Sequence, residues 1–146
     1  MARVEIALPD TFLFRTEIPV RIGDVNYGGH LGNDAVLAIA HEARVRFLGA
    51  HGFGELDVAG AGIIMVDAAI VYRAEGRHGM TLAVEIAPDD VRTRGCDLLY
   101  RISDVATGQE IARVKTGIVF FDYGARRVVS MPAAFRAVVG APARKA

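Results

Sequence analysis

Disulfides are excluded at the outset, because the chain has one cysteine, Cys96. A lone thiol can neither close an internal bridge nor build a thiolate metal site, and a reducing cytoplasm is the expected setting. An excess of one charge is missing too. Lys and Arg number 17 and Asp and Glu number 17, which speaks against a strongly electrostatic nucleic-acid or membrane-surface binder. Long apolar runs are absent: the stretch from Ala59 to Val66 ends at Asp67, well short of the ~18 residues that span a bilayer. The opening Met1-Ala2-Arg3-Val4-Glu5 lacks an apolar segment behind a basic start, so no secretory signal is expected. There is no internal repeat and no low-complexity block.

What is present has the composition of a globular domain, 52% hydrophobic and 23% charged over 146 residues, too apolar for a disordered chain. That length can bury a core without staples. The expectation is one domain over residues 1–146, with its core at about 12–135 and a frayed tail at about 140–146.

Periodicity orders the elements. Pro9-Asp10-Thr11 reads as a loop, and Phe12 to Ile22 as a first strand. The glycine-rich segment Gly23 to Gly32 follows. Then Val36, Ile39, Ala40, Ala43, Phe47 and Ala50 recur at helical spacing. With Asn33 or Asp34 as cap and Gly52 as stop, the spacing predicts one helix over Asp34–Ala50. After Gly62 the pattern is strand-like. Ile63 to Arg73 is nearly all apolar. Met80, Leu82, Val84 and Ile86 alternate with polar or small residues, as do Leu98, Tyr100 and Ile102, and then Ala112, Val114, Thr116, Ile118 and Phe120. Short turns at Gly76, Gly95, Gly108 and Gly124 imply antiparallel neighbours. Met131 to Val139 reads as a short terminal helix. This is an α+β layout, an antiparallel sheet of about five strands with one long helix on a face. One helix cannot cover such a sheet, so a homodimer is expected.

The chemistry concentrates at the strand-to-helix turn, Arg21-Ile-Gly-Asp24-Val-Asn26-Tyr27-Gly28-Gly29-His30-Leu-Gly-Asn33-Asp34. The first amides of a helix have no internal partner, and glycines let a ligand come close. Together with the helix dipole they suit a negatively charged or developing oxygen. The bland alternative is a turn with a good helix cap, and spacing alone weighs the two evenly.

The run Asp-x-Asn-x-x-Gly-His-x-x-Asn, followed on the helix by Glu42-Ala43-Arg44, resembles the hotdog-fold acyl-CoA thioesterases of the 4-hydroxybenzoyl-CoA thioesterase type. Asp24, Gly29, His30, Glu42, Ala43 and Arg44 fall at matching separations, and the resemblance extends over roughly Phe12 to Phe135. It implies a hotdog fold, an acyl-CoA or related acyl thioester as substrate, coenzyme A only as part of that substrate, no other cofactor, and a dimer or dimer of dimers. One departure falls at the chemistry. The family's second loop acid, nucleophile or base for water, is Asn26 here. An amide cannot ionise, but it can donate a hydrogen bond to a thioester oxygen.

Three acids stand as substitutes. Asp24 would point to the same side of an extended loop as Asn26, with bonding of loop amides as its structural alternative, the more favoured of the two. Glu42 lies about 100° off the apolar helix stripe, with an i,i+4 ion pair to Arg46 as an equal alternative. Asp67 interrupts an apolar strand and needs a partner or a function, with pairing to an arginine or a backbone amide the favoured alternative. For His30 the resemblance favours organising the loop over proton transfer. Tyr27, Gly28, Gly29 and Asn33 complete the expected substrate-binding set. His41, His51 and His78 read as exposed or hinge histidines, and no histidine spacing suggests a metal. Arg92, Arg94, Arg101, Arg113 and Lys115 either gather for phosphates or form a solvated charged face. Cys96 reads as packing.

The leading expectation is an acyl-CoA thioesterase with Asp24, Asn26, His30 and Glu42 at its centre: amides near Gly28, Gly29 and His30 polarise the thioester carbonyl, Asn26 assists, and Asp24 or Glu42 activates water. Two others compete. Asp24-Val-Asn26 with His30 also resembles the Asp-x-Asn-Pro-x-His motif of R-specific enoyl-CoA hydratases, without the proline and with one residue too many. A non-catalytic acyl-thioester binder accounts directly for the missing second acid.

Overall fold

Alternation of buried and exposed side chains dictates the sheet. The computed structural model describes residues 2–140, so the expected frayed tail lies outside the described residues, apart from Gly140. Strand β1 (Phe14–Pro19) leads into a single 3-10 turn at Ile22–Asp24 and then into helix α1 (Asn33–Ala50). Strands β2 (Gly62–Tyr72), β3 (Thr81–Asp89), β4 (Gly95–Asp104), β5 (Glu110–Asp122) and β6 (Arg127–Val129) follow, with helix α2 (Ala133–Val139) last. The sheet order is β1-β3-β4-β5-β2, with β6 added alongside the end of β5. Every pairing is antiparallel. This is the expected hotdog arrangement, with a sixth short strand and a second short helix.

One connection differs from expectation. β2 and β3 are consecutive in sequence but not neighbours in space. The segment between them crosses beside the glycine-rich loop, where Leu31 N donates to Gly76 O at 2.8 Å and Val20 N to Met80 O at 2.8 Å. The crossover thereby fixes the loop against the sheet. It also leaves β2 at a sheet edge, with its outer backbone side unpaired by any described strand.

The inner face of the sheet is the apolar set read from the sequence. Leu82, Val84, Ile86, Leu98, Tyr100, Ile102, Val114, Ile118 and Phe120 are wholly buried there. Against it α1 buries Val36, Ile39, Ala40, Ala43 and Phe47. Two further residues join that face, Leu48 and the arginine Arg44, whereas Ala50 at the helix end is exposed. The stripe therefore slews by one position at its end and takes in a charge, which needs a buried partner. α2 closes the core from the far end, with Phe135 edge-on to Phe120 at 5.1 Å. The outer face is partly covered by the N-terminal arm. Ile6 is buried there, its carbonyl accepts from Arg113 Nη1 at 2.9 Å, and the Arg101 guanidinium sits 4.7 Å over the Phe12 ring.

Candidate functional site

A single asparagine shapes the turn before α1. Asn26 Oδ1 accepts from the Gly28 amide at 2.9 Å and from the His30 amide at 3.3 Å. Its carbonyl accepts from Gly29 N at 3.0 Å, and its own amide donates to His30 O at 2.8 Å. Gly29 takes φ 79°, a left-handed conformation that a side chain would strain. The amides of Gly28, Gly29 and His30, expected to face a thioester oxygen, are therefore engaged inside the loop. The reason is chemical: the side-chain oxygen of Asn26 closes an Asx-type turn on Gly28 two residues on and reaches His30, while its backbone carbonyl takes Gly29.

The donors that remain are different ones. Asn26 is exposed, and with Oδ1 committed as acceptor its Nδ2 group has no acceptor among the described residues. At the start of α1, Ala35 N and Val36 N reach back to Gly32 O and Asp34 N is held by Asn33 Oδ1, while Asn33 N has no acceptor among the described residues. Asn33 is itself anchored, its carbonyl accepting from the Tyr72 hydroxyl at 3.0 Å. Tyr27 projects fully into solvent.

The expected acids are all in ion pairs. Asp24 Oδ2 accepts from Arg21 N at 2.8 Å and lies 3.4 Å from Arg21 Nε, closing the 3-10 turn. It therefore bonds a backbone amide, but that of Arg21 rather than one in the glycine turn. Glu42 pairs with Arg46 at 3.0 Å, and Arg46 also ties to Thr16 and to the Glu17 carbonyl on β1. Asp24 and Glu42 line a common hollow of about 210 Å³. Asp67 sits beyond a bulge in β2 and bonds Lys115 Nζ at 2.8 Å, which holds its carboxyl below the ordinary range. His30 Nε2 lies 3.2 Å from Glu75 on the crossover segment. His30 thus pins the loop to its neighbour.

A second cluster was not anticipated. On α1, Arg44 Nε donates to Glu55 Oε2 at 2.9 Å and Arg44 Nη1 to the Tyr100 hydroxyl at 3.3 Å. Tyr100 in turn shares a hydrogen bond with Thr116 at 2.8 Å. The other Glu55 oxygen stands 2.6 Å from His41 Nε2. Arg44 is 3% exposed, so its charge rests on this network. Burial works against ionisation of Glu55, but the bonds from His41 and Arg44 outweigh it and hold the carboxyl below its usual value. Burial likewise opposes the Arg44 charge, and Tyr100 and Glu55 overcome it to raise the guanidinium pKa. The available signal was the i,i+3 spacing of His41 and Arg44, with an arginine at a position the apolar stripe claims. Glu55 lies past the end of the helix, where no local pattern announces it.

Two hollows meet at this cluster. One, of about 410 Å³, is lined by Asp34, Leu37, Ala38, His41, Arg44 and Met65. The other, of about 350 Å³, adds Glu55, Leu56, Ile63, Ile118 and Tyr123 to His41, Arg44 and Met65. Together they make a groove running from the first turn of α1 along the inner side of β2.

The suggested phosphate patch is largely neutralised. Arg92 pairs with Asp90 and Asp97, Arg101 with Glu85, Arg113 with Glu110 and Lys115 with Asp67. Only Arg94 of that set lacks a carboxylate partner among the described residues. Cys96 is buried, and burial pushes its thiol up to about 12, which removes it as a nucleophile at neutral pH. Among the described residues no three His, Cys, Asp or Glu side chains gather as a metal set, and no helix is long and apolar enough to cross a membrane.

The model of the thioesterase-like superfamily matches residues 20–139. No curated protein sequence matches the chain significantly. Among solved structures, the fold is similar to Slr0204, a 1,4-dihydroxy-2-naphthoyl-CoA thioesterase from Synechocystis, with TM-score 0.79 and 22% identity over 86% of this chain and 94% of that one. It is similar to the PA2801 protein from Pseudomonas aeruginosa, with TM-score 0.81 and 24% identity over 89% of this chain and 100% of that one. It is also similar to BH1999 gentisyl-coenzyme A thioesterase, with TM-score 0.76 and 19% identity over 87% and 100%.

Proposed function

The chain belongs to the thioesterase-like superfamily, and on that footing we propose that it hydrolyses the thioester bond of an acyl-CoA or a related acyl thioester. The observation that carries the reading is the match over residues 20–139, which takes in the loop, α1 and the whole groove. The thioester carbonyl lies at the start of α1, where the Asn33 N–H and the Asn26 Nδ2 group are unengaged donors and the helix dipole favours a developing oxyanion. The acyl group runs along the groove between α1 and β2, against Leu37, Ala38 and Met65. Coenzyme A enters only as part of the substrate. Asp24 and Glu42 each stand in an ion pair, with Arg21 and Arg46, and either must leave its partner to activate water.

The functional unit in this reading is a homodimer. The β2 edge is open, and Met65, Val66, Leu56 and Tyr72 expose apolar surface along or beside it. A second copy pairing at that edge covers the surface and roofs the groove.

The test is thiol release from aromatic, short-chain and long-chain acyl-CoA esters by the purified protein. Turnover of one class well above background is the expected result. Saturable binding with no thiol released would identify a binding protein instead. Loss of the crotonyl-CoA double bond without thiol release would identify a hydratase.

A further inference from the structure

Helix α1 carries a second stripe beside the one that faces the core. Asp34, Leu37, Ala38, His41 and Val45 fall three or four residues apart along the chain and so share one side of the helix. Leu37 is half-buried and the other four are exposed. The first four line the groove together with Arg44 and with Met65 of β2. From the carbonyl end onward this lining changes character once, from apolar at Leu37, Ala38 and Met65 to polar at His41. We propose that the His41–Glu55 pair is the end stop of the acyl site, and that the substrate is the thioester of an apolar acyl group of short or medium length whose far end lies before His41. This rests on the thioesterase reading and names the substrate class that reading leaves open.

The helix supplies the length. With the thioester carbonyl at the Asn33 N–H, His41 is eight residues farther on. At about 1.5 Å per residue that is about 12 Å, the reach of an extended acyl chain of about eight to ten carbons. Within this span Leu37, Ala38 and Met65 give the chain apolar contact.

Beyond it stands a polar pair. His41 Nε2 and Glu55 Oε1 are 2.6 Å apart, and both side chains remain partly exposed. Glu55 is ionised at neutral pH, because the bonds from His41 and Arg44 hold its carboxyl below the ordinary range. A methyl end laid over the pair removes the water that still solvates it and returns no hydrogen bond. Nor is the carboxylate free to swing away. Its other oxygen accepts from Arg44 Nε at 2.9 Å, and Arg44 is buried and bonded in turn to Tyr100. The second hollow offers a longer chain little in exchange. Its residues Ile63 and Ile118 are buried, and Leu56, though exposed, directly follows Glu55.

The experiment measures Kd for coenzyme A thioethers with straight arms from butanoyl to hexadecanoyl length, on wild type, His41→Leu and Glu55→Gln. Each methylene buried on an apolar wall is worth about fourfold in affinity. Wild type should tighten by about that factor per carbon up to octanoyl or decanoyl and then stop tightening. His41→Leu joins the apolar lining to Val45, one helical turn on, so the turning point should move to longer arms by about four carbons. Glu55→Gln removes the charge that resists burial, so arms beyond the turning point should regain part of the lost gain. His41 is exposed, so His41→Leu should melt within a few degrees of wild type. Tightening in wild type that continues unbroken to hexadecanoyl overturns the inference, as does a turning point that His41→Leu leaves in place. Thiol release from the matching esters is followed in parallel. Release without a turning point removes the end stop and leaves the thioesterase reading standing. The expected turning point with no thiol released from any ester keeps the end stop and removes hydrolysis. Neither binding nor thiol release at any length overturns both.

Discussion

The two ends of the groove are held in opposite ways. At the start of α1 the glycine turn is organised by its own neighbours, with one side chain, Asn26, bonding amides two and four residues ahead of it. Two turns along the helix, His41 and Arg44 are organised by residues from elsewhere, Glu55 beyond the helix and Tyr100 on β4. The first arrangement is exposed and local, so little of the fold depends on it. The second ties a buried charge to the centre of the sheet, so the fold and the site depend on it together. Perturbing the turn should cost rate with little stability, whereas perturbing the network should cost both.

The largest expected effect on stability is therefore at Arg44. Arg44→Ala leaves the buried Tyr100 hydroxyl and the half-buried Glu55 without their shared partner, and the lost charge-assisted bonds cost about 1.5–3 kcal/mol. Urea or thermal unfolding measures it. A loss under about 1 kcal/mol would erase the contrast between the two ends. Asn26→Ala comes next and reads out in rate. Removing one oxyanion donor costs about 10²–10³ in kcat, while the lost loop bonds cost only about 1 kcal/mol of stability. A variant that hydrolyses a panel of esters as fast as wild type would withdraw the turn from the chemistry.

Acid acts on the network and not on the turn. Glu55 titrates below its ordinary value near 4.5 in the folded chain. Its contribution to stability is thus complete above that value and is lost as pH falls through the lowered one. Unfolding followed from pH 6 downward should show this loss in wild type and a flatter profile in Glu55→Gln. The smallest effect belongs to Glu42→Gln. Its exposed i,i+4 pair with Arg46 is worth no more than about 0.5 kcal/mol. A larger change would mean that α1 is held to β1 through this pair.

The same division explains what was legible in the sequence. Strand alternation and the helical stripe are local signals, and they place the ends of β2 to β5 and α1 to within three residues. β1 is shorter than the apolar run that suggests it, because the backbone leaves the sheet at Pro19 and turns at Ile22–Asp24. The three-residue β6 is too short to alternate, and the crossover between β2 and β3 depends on topology rather than on any turn residue. In the site, the loop motif was legible and its internal bonding was not. Asn26 looked like a lost acid, and its oxygen proves to be the acceptor that shapes the turn. His41 is exposed, as expected, but its partner Glu55 is 14 residues away, beyond the reach of helical spacing. Asp67 needed a partner, and Lys115 on the neighbouring strand supplies it.

The proposed hydrolysis requires a thioester carbonyl to dock at the first turn of α1. Titrating the protein with a non-hydrolysable acyl-CoA thioether and following its amides by NMR tests this directly. The Asn33 backbone amide and the Asn26 side-chain amide should shift furthest, with the groove residues of α1 moving alongside them. Saturable binding that leaves both amides in place and moves only the outer face of the sheet would contradict it.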